Sequence, residues 1–522
     1  MSKTARCAEG IVLFMVDQLS ARWLEATMAG AADVPNFKRL AARGVMFTNA
    51  ISSNPVCCPA RATIATGLTT RQHGVLENGY ELDPALPTFM RVLRKAGWRT
   101  GAFGKVHLWP HYKALYPDYK QYGFDETFIT EDPRGGQYLD WVRREHPEHF
   151  ETVLGTIWAV MIPEFADYGA RHEDMAALIR GARKKDVFKS EKYPLSEFMA
   201  YPHPFPEEVS QTCWITTRGL DFINSLRADQ PFFAHVSYVQ PHSPFNAPEY
   251  CIELVDESRI PAPAPPAWMD DPHSPPHFKN RYTHRASDDQ QRWRRKVYFA
   301  DIAHLDRQLG KVMDALEAAG RLDSTHIIFL SDHGEMLGDH NMGGKEDKHY
   351  DACIRVPLMI AGPKVASREL ICDEMVQLED ICPTILDIAG LSLPPLPTMG
   401  PNAPKHEGYP ILQGRSLLEL TGGKTPADWR KAAYSGSYNA IWSADPGDWA
   451  QTIRTKDLRY TYYPNGGQQF FDLAGDPNEQ LNLVADPDWQ ERLNELRLRL
   501  MRLIVLQDYP RTRRDLFALG VH

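Results

Sequence analysis

The feature that most constrains this chain is a repeated unit: a short, unbroken apolar run that stops at a polar residue able to do chemistry. Residues 11–16, IVLFMV, lie between Gly10 and Asp17. PFFAHVSYV (231–239) runs into Gln240-Pro241-His242, and HIIFLS (326–331) runs into Asp332-His333. Runs of this length without apolar–polar alternation fit strands buried on both faces. Such strands need helices on either side. PNFKRLAARG, with its stop at Gly44, and LPTFMRVLRKAG, with a C-cap at Gly97, have the helical spacing. The expectation is an α/β fold whose strand ends carry the polar groups from which open sheets build their sites.

From about residue 425 the pattern changes. RTKDLRYTYYPNGGQQFFDL (454–473) reads as antiparallel strands about an Asn465-Gly466 turn, and DWQERLNELRLRLMRLIV as an amphipathic helix. The expected organisation is a catalytic α/β domain over 1–424 and a C-terminal α+β subdomain with a tail over 425–522. Segments of about 110–205 and 257–295 look like insertions that form lids or loops around a pocket, or solvated surface. Their aromatic residues, among them Trp109, Tyr112 and Trp141, serve as lid or as core. The tail QDYPRTRRDLFALGVH suits docking across a subunit interface, which points to a homo-oligomer.

The 522 residues carry a net charge of −9, so nothing advertises a nucleic-acid partner or an anionic membrane. IVLFMV is shorter than a secretory apolar region, and no stretch is long enough to span a bilayer. The eight cysteines (7, 57, 58, 213, 251, 353, 372, 382) show no disulfide framework. Free thiols fit a reducing compartment, and a cytoplasmic enzyme is expected.

Two of those cysteines are adjacent, in NPVCCPARATIATG (54–67). A thiol phosphatase needs an arginine six positions beyond its cysteine, and neither cysteine has one. Zinc needs further cysteine pairs, and there are none. An inert buried pair remains open on this stretch alone. However, Cys57-x-Pro59-x-Arg61, followed by ATIATG, resembles the signature of the type I sulfatases. Only Cys57 has Pro at +2 and Arg at +4; Ala65 stands where a larger apolar residue is usual. The resemblance implies oxidation of Cys57 to formylglycine by a formylglycine-generating enzyme. A hydrated aldehyde has two hydroxyls: one attacks sulfur, and the other later loses its proton and expels sulfate. One difficult displacement is thereby split in two.

Other segments carry the same resemblance. Asp17 with Gln18, and Asp332 with His333 in SDHGEMLG, match metal-ligand positions, so Asp17, Gln18, Cys57, Asp332 and His333 are the expected metal set. Many sulfatases have Asp where Gln18 stands and Asn where His333 stands, and those bind calcium; imidazole suits manganese better. One divalent ion is implied, Ca²⁺ or Mn²⁺. GWRTGAFGKVH (97–107) resembles the second signature, ending in G-K-x-H. Lys105 would contact the formylglycine and sulfate oxygens, and His107 would take the proton on elimination. His242, in QPHSPF, is the candidate acid for the leaving oxygen. In GGKEDKHYDACIRVP, either Lys345 or Lys348 would bind a sulfate oxygen. Arg61 would brace the nucleophile loop and the metal carboxylates, and Asn78 matches a pocket asparagine of choline-sulfatase-like and phosphonate-hydrolase-like relatives.

With FFDLAGDPNEQLNLVADP near the C-terminus, the resemblance spans most of the chain. It implies a large central mixed β-sheet sandwiched by helices, of the alkaline-phosphatase/sulfatase kind, with a smaller C-terminal α+β subdomain. The implied activity is hydrolysis of an alkyl or aryl sulfate monoester, a small-molecule substrate. The alternative is phosphonate monoester or phosphodiester hydrolysis; relatives of that kind tend to replace the lysine and histidine of G-K-x-H, which Lys105 and His107 retain. A silent sulfate- or metal-binding protein would have lost one of Cys57, Asp17, Asp332 or Lys105, and all four are present.

Overall fold

Eight strands form the main sheet: β1 (Gly10–Val16), β2 (Gly44–Ile51), β3 (Arg99–Gly104), β4 (Glu126–Ile129), β5 (Phe232–Ser237), β6 (Thr325–Ser331), β7 (Arg355–Ala361) and β8 (Leu370–Gln377). The structure is a computed structural model that describes residues 9–110, 116–157, 175–283, 286–393, 414–438 and 445–507. Cys7, Tyr112 and the tail beyond Gln507, with the homo-oligomer expectation it carried, lie outside the described residues.

The strands pair in the order β8-β2-β7-β6-β1-β5-β3-β4. β7 runs antiparallel to both β2 and β6, and the other pairs are parallel, so the sheet is mixed. Every residue of β1, β5 and β6 is buried. The helices used below are α1 (Pro35–Ala41), α2 (Cys57–Thr66), α3 (Phe89–Lys95), α4 (Gln211–Asn224), α5 (Asp288–Ala318), α6 (Ile381–Ala389) and α7 (Gln490–Gln507). The two-residue period of β1 divides it between two cores. Val12, Phe14 and Val16 join Trp214 of α4 and Val297, Leu305 and Leu309 of α5. Ile11, Leu13 and Met15 join Ile64 of α2, Leu93 of α3 and Ile385 of α6.

The segments expected as lids or loops are in part core. Residues 126–129 are the edge strand β4, and Tyr138, Val142, Val153, Leu154 and Ile179 pack with the α5 core. Trp141 lies against that core and Trp109 against the other. The charged run DDQQRWRRK opens α5: Ser287 and Gln290 form a capping box, and Trp293 and Val297 turn inward one helical turn apart. Charge on the outer face hid the helix from a reading by polarity.

The C-terminal unit is an antiparallel meander of β9 (Ala433–Ser437), β10 (Ala450–Arg454), β11 (Leu458–Tyr462) and β12 (Gln468–Asp472). Leu493, Leu496 and Leu500 of α7 pack on its Tyr460 and Phe470. It joins the main domain through the Gly436 amide, which donates to the Ser53 carbonyl at 2.8 Å. Among the described residues no helix is long and apolar enough to cross a membrane.

Register places the site. Val16 pairs with Ser331, Met15 with Ser237, and Gly104 also with Ser237. The next residues, Asp17, Asp332 and Lys105, therefore leave the sheet side by side at its carboxyl edge. The two antiparallel pairings of β7 bring the carboxyl end of β2, and the α2 N-terminus that follows it, to the same edge.

Phe329 of β6 is fully buried, with its ring 4.8 Å from that of Phe37 and 6.0 Å from that of Phe14. Phe329→Ala should cost about 3–5 kcal/mol, read as a fall in the urea unfolding midpoint.

Candidate active site

Cys57 is the first residue of α2, and every residue of that helix is buried. The helix N-terminus favours negative charge at this position. The Cys57 sulfur lies 2.8 Å from Lys345 Nζ, 3.1 Å from His333 Nε2 and 3.6 Å from Asp17 Oδ1. Asp17, Cys57, Asp332 and His333 offer ligand atoms that all lie within 4.8 Å of one another. A ring nitrogen of His107, an Asp132 oxygen and the same sulfur form a second such group.

Arg61 is four residues along α2 and so projects from the same face as Cys57. Its Nε donates to Asp332 Oδ2 at 2.8 Å and its Nη2 to Asp17 Oδ2 at 3.1 Å. Its Nη1 holds the Lys105 carbonyl at 2.8 Å and Ser237 Oγ at 3.0 Å. Arg61 thus ties four strand ends together, those of β1, β3, β5 and β6.

Lys105 follows Gly104, whose φ is +97° and where a Cβ would run into the Ser237 carbonyl. Only glycine permits this approach. Lys105 Nζ then sits 2.5 Å from Asp17 Oδ2 and pairs also with Asp132. The Val106 and His107 amides donate to Glu131 Oε1. Lys345 Nζ donates to Gln18 Oε1 at 2.9 Å, and Gln18 Nε2 donates to Glu335. Glu335 also accepts from the Leu337 and Gly344 amides, clamping the loop that carries Lys345.

Residues 10–263 and 267–391 match the family model described as Sulfatase. The chain belongs to the sulfatase family. Residues 338–505 match a second model, described as N-sulphoglucosamine sulphohydrolase, C-terminal. The chain is 27% identical to an arylsulfatase of Clostridium perfringens over 504 residues, covering 94% of this chain and 93% of the relative. It is 28% identical to a choline-sulfatase of Rhizobium meliloti over 495 residues, covering 91% and 82%. A solved phosphonate monoester hydrolase of Agrobacterium radiobacter superimposes with a TM-score of 0.75 over 96% of both chains at 24% identity, a likeness of fold.

Not every expected residue of this sulfatase-family site meets the sulfur. Lys348 Nζ lies 3.1 Å from Tyr282 Oη and 3.2 Å from Asp347 Oδ1, so of the two lysines it is Lys345 that reaches Cys57. Asn78 Oδ1 accepts from the Cys58 amide at 2.9 Å, at the start of α2. His242 stands half-buried on the segment after β5 and donates its Nδ1 proton to the Ser243 carbonyl at 2.7 Å. That segment is tied to the site where the Gln240 carbonyl accepts from the Asp17 amide at 3.3 Å. Glu131, Asp132, Ser237 and Glu335 were missed by the reading of sequence. The acidic pair Glu131-Asp132, one residue beyond the short β4, and the glutamate inside SDHGEMLG are signals for three of them; Ser237, the last residue of β5, has none.

Burial alone would raise the Cys57 thiol, but Lys105, Lys345 and His333 together hold it well below its ordinary range. Burial and the facing Asp332 push Asp17 up. Burial works the same way on Asp332, yet His333 and Arg61 outweigh it and the group falls. Two carboxylates and an imidazole, all fully buried and converging, form a donor set that fits a divalent cation. The cation would relieve the repulsion that raises Asp17.

Arg61→Ala leaves Asp17 and Asp332 without their shared guanidinium. In metal-stripped protein the expected loss is about 3–5 kcal/mol, seen as a lower unfolding midpoint. Arg61→Lys, which keeps the charge and loses the fork, should fall between Arg61→Ala and wild type.

Proposed function

We propose that this chain is a sulfuric ester hydrolase that cleaves an alkyl or aryl sulfate monoester with residue 57, oxidised to formylglycine, as nucleophile and one divalent metal as cofactor. One geometric fact supports it: the Cys57 sulfur lies between Lys345 Nζ at 2.8 Å and His333 Nε2 at 3.1 Å, beside the Asp17–Asp332 pair. That sulfur marks the place of a formylglycine oxygen. Hydrated formylglycine at this position would supply the oxygen nucleophile for the sulfate sulfur. Asp17, Asp332, His333 and the Gln18 amide oxygen would hold calcium or manganese, which supplies polarisation of the sulfuryl group.

The chain's own groups do the rest. Lys105 and Lys345 bind sulfuryl oxygens, placing fixed charge where negative charge develops. His107 accepts the proton from the oxygen of residue 57, and His242 gives one to the leaving oxygen. Arg61 holds Asp17 and Asp332 rather than substrate. Asn78 and Lys348, expected from sequence as substrate-binding groups, are better read as supports of α2 and of the Tyr282–Asp347 wall.

Cys57 is fully buried, so its maturation by a formylglycine-generating enzyme must precede folding. The seven described cysteines are free and buried, which supports a cytoplasmic setting. The rival activity, hydrolysis of phosphonate monoesters or phosphodiesters, is favoured by Gln18 and His333, which stand where many sulfatases carry Asp and Asn.

Mass spectrometry of the tryptic peptide 44–61 should show residue 57 with sulfur and two hydrogens replaced by one oxygen. Paired rates should favour 4-nitrophenyl sulfate over an aryl phosphonate. Lys345→Met should lower kcat/KM by about 10²–10³, the scale of one removed charge-stabilising donor, while Lys348→Met loses far less. Full turnover by chains with unconverted Cys57 would sink the proposal; faster phosphonate cleavage would replace it with the rival.

A further inference from the structure

Away from residue 57, three metal-binding side chains of different kinds meet between α4 and α5. Glu207 precedes α4, Cys213 lies in its first turn, and His304 lies mid-way along α5. Cys213 Sγ is 3.5 Å from Glu207 Oε1 and 3.9 Å from His304 Nε2, and that nitrogen is 3.2 Å from the carboxylate oxygen. Tetrahedral zinc, with bonds of about 2.3 Å to sulfur and about 2.0–2.1 Å to nitrogen and oxygen, sets these three edges at about 3.5, 3.6 and 3.3 Å. The triangle is already close to one face of that tetrahedron.

Hydrogen bonding fixes the histidine tautomer. Gln240 Nε2 donates to Asp301 Oδ1 at 2.6 Å and to the Asn246 carbonyl, so Gln240 Oε1 is the accepting end. It takes the Thr212 hydroxyl at 2.6 Å and faces His304 Nδ1 at 3.1 Å. Nδ1 therefore carries the proton, and the neutral ring aims the Nε2 lone pair at a carboxylate oxygen. His304 Nε2 and Glu207 Oε1 are thus two acceptors face to face; the donors around that oxygen are the Cys213 thiol, Gln308 Nε2 at 3.5 Å and Lys311 Nζ at 3.6 Å, and none of them sits between the pair as a bound cation would. Full burial of His304 opposes supplying it by protonation, since burial lowers the imidazole.

We propose that Glu207, Cys213 and His304 form a second metal site, structural rather than catalytic, for a thiophilic divalent ion such as Zn²⁺. Water completes the coordination on the Glu207 side, where that side chain is 22% exposed. Binding forms a metal–thiolate bond and releases the Cys213 proton to solvent, with no change of oxidation state. Lys311, half exposed and 3.6 Å from the same Glu207 oxygen, swings into solvent. The ion fixes His304, which orients Gln240 through Nδ1, and the Gln240 carbonyl accepts from the Asp17 amide. It therefore anchors the segment that carries His242. The site stands on its own geometry whatever the catalytic substrate.

The test is Co²⁺ titration of the metal-stripped, full-length chain in a Cys57→Ala background, so that residue 57 contributes no thiolate. The expected result is a thiolate-to-cobalt charge-transfer band with four-coordinate visible bands. Adding Asp332→Asn should leave them intact, and adding Cys213→Ser should abolish the charge-transfer band. Adding Glu207→Gln, a partly exposed position that spares the fold, should weaken Co²⁺ binding at this site at least about tenfold, the low end already seen when a partner that only orients a ligand is lost. Absence of a thiolate band at saturating Co²⁺, a band that survives Cys213→Ser, or unchanged affinity in Glu207→Gln overturns the proposal.

Discussion

Everything at the carboxyl edge of the sheet depends on Arg61 holding Asp17 and Asp332. Those two carboxylates are fully buried and come from strands more than 300 residues apart in sequence. Burying like charges together is costly, and even a well-paired buried ion cluster adds little net stability. The cluster persists because β1 and β6 are locked in register by apolar side chains on both faces. The hydrophobic cores pin the strand ends, and the strand ends impose the carboxylate pair. Arg61 makes the pair tolerable, and Lys105 shares the task on the Asp17 side.

Helix α2 joins this arrangement through a single turn of geometry. Cys57 and Arg61 lie four residues apart, so the group that braces the carboxylates and the group placed beside them share one helical face. The same helix directs its N-terminal dipole at residue 57 and packs Ile64 into the core against β1. The position of residue 57, charge balance and core packing are therefore not separable in α2. A shift of that helix moves all three.

How much of this was legible in the sequence follows from the physics of each element. The strands β1, β5 and β6 were readable because burial on both faces forces unbroken apolar runs. Asp17 and Asp332 were readable because each ends such a run. β4 was not: four residues, ETFI, on a sheet edge and only partly buried leave no run to detect. The first turns of α5 were hidden by a charged outer face. The choice between Lys345 and Lys348 could not be made from spacing. It depends on a loop with positive φ at Leu337, Gly338, His340, Asn341, Gly344 and Glu346, a path set by tertiary contacts.

That loop shows why the C-terminal unit matters to the site. Glu335 fixes its two ends from within, but its outer flank is held from elsewhere. The Tyr463 hydroxyl donates to the Asp347 carbonyl at 2.9 Å, and His277 Nε2 pairs with the Asp347 carboxylate at 2.8 Å. Arg281 spans Asp347 and Asp448, and Asn465 reaches His277 at 2.8 Å. Tyr463, Asp448 and Asn465 belong to the C-terminal meander and its turns. The cation nearest the residue-57 sulfur is thus positioned, two residues away, by a unit none of whose described residues joins the cluster around that sulfur. Electrostatic stabilisation works only when charge is fixed before it is needed, so the meander is part of how the site keeps its charge in place.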